Sequence, residues 1–91
     1  LVAAPEGVNG STGARTRNLA EVAIGQTVRI VEVALEADTT AWLAAVGLES
    51  GEEVTLLRKA IMGGPLHIRL ARGGELAVAR DVAKRVVVED A

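Results

Sequence analysis

Trp42-Leu43-Ala44-Ala45-Val46-Gly47-Leu48-Glu49-Ser50-Gly51-Glu52-Glu53-Val54, WLAAVGLESGEEV, is where the chain turns from helix to strand. Before it, Ala37 to Ala45 is rich in small and apolar residues, with Asp38 or Thr39 placed to cap the first amides of a short helix. Gly47 can adopt the left-handed conformation that ends a helix. Leu48 then sits where a Schellman-type end folds an apolar side chain back on the last turn. Glu49 to Glu52 reads as a turn, and Glu53 to Lys59 alternates as a strand does.

The same pattern of short strands extends to both sides. Gln26 to Val33 follows Gly25 and is dense in β-branched residues, which predicts a strand near 27–34; both of its faces are partly apolar, which suits a strand in a closed barrel or one covered on two sides. Downstream, Ala60 to Leu70 (AIMGGPLHIRL) holds the only Met and the only His of the chain around a double glycine. A phosphate loop would need GxxxxGK[ST] between a strand and a helix, whereas Gly63-Gly64-Pro65 lies between two strand-like runs. It reads as a hairpin connection. Leu66, Ile68 and Leu70 then share one face of a third strand, with His67 and Arg69 on the other. Arg72-Gly73-Gly74-Glu75 signals a tight hairpin into a fourth strand with Leu76, Val78 and Arg80 on one side. Asp81 is placed to cap a single helical turn before Val86-Val87-Val88, the fifth strand. The expected fold is mainly β: a small SH3-like five-stranded barrel with one short α-helix and a helical turn. Residues 1–18 carry no apolar period and read as a flexible leader, with the domain over 19–91.

Composition narrows the function classes. The chain has 91 residues and no Cys, so disulfide frameworks, zinc ribbons and cysteine-based redox motifs are excluded. Its residues are 49% hydrophobic, yet no apolar run approaches the roughly 18 residues that span a bilayer. Membrane insertion is not expected. Leu1 to Ala4 is too short for the apolar region of a secretory signal, and the cytoplasm is the expected location. A net charge of −2 and a single aromatic residue offer neither a basic footprint nor a stacking platform, so nucleic acid is not expected as a partner.

Candidate chemistry is sparse. His67 is the one candidate metal ligand, and Met62 could add a soft sulfur. The carboxylates Glu32, Glu36, Glu52 and Glu53 are dispersed and lack ligand spacing, so no dedicated metal site is expected beyond weak divalent contact. Adjacent Glu52 and Glu53 face opposite sides of a strand and do not form an acid/base pair. Without a pairable nucleophile and base, no enzyme and no cofactor are expected. Trp42 has two readings, an anchor that closes the core or an exposed hot spot for a partner.

Trp42 to Val54 resembles the "RLxxLGLxxGxxV" signature of the FeoA family. Leu57 to Leu66 is similar to that family's "aPxGgP" hairpin, and Leu76 to Val88 to its closing "iaLRxxxAxxIxV". The resemblance covers about residues 19 to 89. It implies an SH3-like domain in a cytosolic accessory protein of bacterial ferrous-iron uptake, acting on the GTPase part of an FeoB-type permease. Trp42 stands where the family usually has Arg, Val46 replaces Leu, Ile61 replaces Pro, and Ala79 occupies the Arg of "LR". The implied contact is therefore apolar where the family's would be charged, and Trp42, Leu43, Leu48, Met62 and Pro65 are its expected residues. The same barrel resembles the C-terminal domain of DtxR-type repressors, which implies a regulatory or metal-sensing domain as an alternative. The high apolar content also admits a self-associating module, a homo-oligomer.

Overall fold

The computed structural model describes residues 16–91. Its elements are β1 (Thr16–Asn18), a 3-10 turn (Leu19–Glu21), β2 (Thr27–Val33), α1 (Ala37–Ala45), β3 (Glu53–Lys59), β4 (Leu66–Leu70), β5 (Glu75–Val78), α2 (Arg80–Ala83) and β6 (Val86–Asp90). All six strands join one antiparallel sheet in the order β1-β6-β2-β3-β4-β5. The sheet curls without closing, since its end strands β1 and β5 do not pair with each other.

The five strands expected from alternation are present, and a sixth lies inside the stretch read as a leader. Thr16, Arg17 and Asn18 pair with Glu89, Val88 and Val87 of β6, while the remainder of that reading, 1–15, lies outside the described residues. The reason is tertiary. Main-chain pairing and the 2.8 Å contact of Arg17 Nη2 with Asp90 Oδ1 hold this strand, so its side chains need no apolar period.

Alternation builds the core. Val28 and Ile30 of β2, Val54 and Leu56 of β3, Leu66, Ile68 and Leu70 of β4, Val78 of β5, and Val86 and Val88 of β6 all point inward and are buried. Leu19, Val22, Leu43, Leu48 and Ala83 close the ends of this layer. No polar or charged side chain among the described residues is buried with them.

Two register shifts bend the sheet, one between Ile30 and Glu32 and one between Leu56 and Arg58. The first explains why β2 looks apolar on both faces. Val31 sits at the shift and is exposed, so of the two arrangements that suit this strand, cover on both sides is not the one adopted. The helix caps also differ from expectation. Glu36 and Ala79 occupy the N-cap positions of α1 and α2, neither with a side-chain cap, and Asp38 and Asp81 lie in the first turns, where their charge favours the positive helix end. Arg80 begins α2 and does not continue β5.

Candidate protein-docking surface

The β3–β4 connection is built by backbone geometry. Ala60 N–H donates to the Pro65 carbonyl at 2.9 Å, and inside that bond Gly64 N–H donates to the Ile61 carbonyl at 3.1 Å. The two central residues, Met62 and Gly63, have φ of 58° and 74°, the sign pattern of a type I′ turn. Gly64 answers a different need. A Cβ there would lie 2.6 Å from the Ala60 Cβ, so the loop closes only over a bare backbone. Arg80 braces both ends of the loop, Nε donating to the Gly64 carbonyl at 3.0 Å and Nη2 to the Ala60 carbonyl at 3.1 Å. Gly63, Gly64, Pro65, Ala79, Arg80 and Asp81 line a shallow groove of about 340 Å³ beside this brace.

At the tip, Ile61 is 84% exposed and Met62 96% exposed, and Pro65 is exposed where the loop rejoins β4. Three apolar side chains with no core to cover them are thus displayed on a loop stiffened by three residues' worth of special geometry and one arginine.

Helix α1 supplies the second exposed group. Its end is a Schellman motif: Leu48 N–H donates to the Leu43 carbonyl at 2.8 Å and Gly47 N–H to the Ala44 carbonyl at 3.0 Å, with Gly47 at φ 105°. That closure sends Leu43 and Leu48 into the core, which corrects the expectation that they reach a partner. They are buried because the motif's own apolar contact joins the sheet's inner face. Trp42 points the other way and is 60% exposed, with Val46 exposed one turn later and Ala41 and Ala45 beside them. Of its two readings, the anchor that closes the core does not hold, since the core closes without Trp42.

The charged candidates do not converge. Glu52 accepts from Arg72 in an exposed pair, and Glu53 in a part-buried one from Arg29, which also reaches Glu89 at 3.4 Å, so the adjacent acids serve separate ion pairs. His67 is half-buried on the outer face of β4, across from Arg58 and Ala77. Among the described residues no three His, Cys, Asp or Glu side chains gather as a metal site. No helix among them is long and apolar enough to cross a membrane. Sequence reasoning missed Ile61, Val46 and Arg80 as surface residues. For Ile61 a signal was present, an apolar residue next to a glycine turn.

Fold and surface together define a small SH3-like β-domain that displays apolar side chains on a helix face and a hairpin tip. The FeoA domain family matches residues 17–90. The chain belongs to this family, which is linked to ferrous iron transport. An FeoA-like protein from Clostridium acetobutylicum is 31% identical, with 82% of this chain and 86% of that one covered at a TM-score of 0.71. A crystal structure of an iron uptake regulatory protein, FeoA, is 25% identical, with 82% and 96% covered at a TM-score of 0.71. A manganese-dependent transcriptional repressor shares the fold alone, at 14% identity, 90% and 48% coverage and a TM-score of 0.76. A search of curated proteins found no significant match.

Proposed function

We propose that this FeoA domain is a non-enzymatic cytoplasmic adaptor of ferrous iron uptake that docks on the GTPase domain of an FeoB-type permease. The contact is made by Trp42 and Val46 on α1 and by Ile61, Met62 and Pro65 on the hairpin. The exposed Trp42 carries the reading. It is the only aromatic residue of the chain, tryptophan is enriched where partners bind, and here it is held outside a core that closes without it. Membership of a family linked to iron transport supports a partner that belongs to iron uptake.

An amide NMR titration of the labelled chain with the cognate GTPase domain tests this. Shifts at 41–46 and 60–65, abolished in the Trp42→Ala, Met62→Ala double variant, are expected. Binding that the double variant leaves intact would refute the surface. Shifts centred on His67 with Mn²⁺ or Fe²⁺ alone would replace the adaptor with a metal-sensing domain, and concentration-dependent sedimentation with a self-associating one.

A further inference from the structure

Met62 carries the only sulfur in the chain, and it stands 96% exposed at the tip of the β3–β4 hairpin. Nothing in the fold requires it there. A type I′ turn favours Asn or Gly at this position, and a side chain 96% exposed contributes no packing. A thioether so placed is open to attack by dissolved oxidants, while the conversion of Met to its sulfoxide changes a flexible apolar group into a polar one. We infer that Met62 is an oxidation site through which peroxide switches the docking surface off, an inference that rests on the docking proposed above. The oxidant is hydrogen peroxide. The thioether sulfur attacks one peroxide oxygen, an S–O bond forms and the O–O bond breaks. Sulfur gives up an electron pair, and the departing hydroxide takes the proton of the transferred oxygen and leaves as water.

The geometry confines the effect. Because Met62 packs against no core residue, the sulfoxide leaves the fold untouched, and because it lies beside Ile61 at the tip, the new S=O dipole enters the contact itself. A polar oxygen there must be desolvated without a partner on an apolar surface, which opposes docking. Docking in turn covers the sulfur. The free protein is therefore the form that oxidises, and the bound form is protected.

The test treats the full chain with hydrogen peroxide, follows one added oxygen on the tryptic fragment Ala60–Arg69 by mass, and measures binding to the GTPase domain. Oxidation at a rate near that of free methionine is expected, slowed when the GTPase domain is present. An unchanged melting temperature should accompany an affinity about tenfold weaker, 1.4 kcal/mol. Met62→Leu, whatever its own affinity, should show the same affinity before and after peroxide treatment. If the Trp42→Ala, Met62→Ala double variant binds normally, the docking surface is wrong; if Met62→Ala alone binds normally, Met62 lies outside the contact and the switch is wrong. If Met62→Ala binds weakly while the sulfoxide binds normally, or if Met62 resists oxidation, the switch is wrong and the docking surface stands.

Discussion

Met62 holds a left-handed backbone that costs an L residue about 1–2 kcal/mol, and its side chain recovers none of that from the fold. Replacing it by Asn would place Asn-Gly at the centre of a type I′ turn, the pair that turn prefers. Met62→Asn should therefore raise stability by about 1 kcal/mol in urea titration while weakening docking, the opposite signs expected where a residue serves a contact at the fold's expense. Trp42→Ala should shift stability by no more than about 0.5 kcal/mol, because most of the ring is already in water, and should weaken docking at least about tenfold. A larger loss of stability would mean that the ring supports the core. The sequence left Trp42 undecided for a physical reason. Its neighbours Ala41, Ala44 and Ala45 are small on every side, so no apolar stripe marks which face of α1 turns inward. Leu43 and Leu48 were misplaced by the same lack of contrast, although the Gly47-Leu48 pair that buries them was itself readable.

At the level of elements, the strongest local signals were glycines joined to alternation. Leu66, Ile68 and Leu70 announced β4, and Gly47 announced the end of α1. Both are confirmed in position, and the second explains a cost. A Cβ at Gly47 would meet Leu70 Cδ1 at 3.2 Å on a backbone of φ 105°, so Gly47→Ala should lower stability by about 1–2 kcal/mol and loosen α1 from β4. Faster amide exchange at Leu48 than at Ile68 would report that loosening. The hairpin is the element where reading the sequence fell short. Its turn was legible from Gly63-Gly64-Pro65, but the positive φ falls on Met62 and Gly63, and the brace comes from Arg80, distant in sequence and read as part of a strand. Arg80→Ala should cost about 1 kcal/mol and speed exchange at Gly64, whose N–H closes on the Ile61 carbonyl inside the loop that Arg80 braces, without changing exchange at Leu56 or Ile68. Arg80→Lys should restore little, since a single ammonium does not reproduce the guanidinium's paired reach to the Ala60 and Gly64 carbonyls.

At the scale of the whole sheet, the described residues end on two edge strands, β5 and β1, and the way each edge is managed was not legible from local pattern. β5 is short and carries Glu75 and the exposed Ala77. The other end is covered by β1, whose sequence Thr16-Arg17-Asn18 has no strand signature, because an edge strand is selected for main-chain pairing and not for what it buries. Immediately after it, the 3-10 turn drives Leu19 and then Val22 into the core, both fully buried. β1 thus fixes the direction from which that apolar pair arrives, and Asn18 N–H is held by Glu21 Oε1 at 2.9 Å as the chain turns. A chain beginning at Thr16 should consequently melt higher than one beginning at Leu19, by several degrees for a domain of about this size losing roughly 1–2 kcal/mol. The shorter chain also bares the edge of β6, so it should self-associate at concentrations where the longer one stays monomeric. Equal melting temperatures would place the closure of the core in the Leu19–Val22 turn alone. β1 would then be an edge cover whose removal changes association without changing the fold.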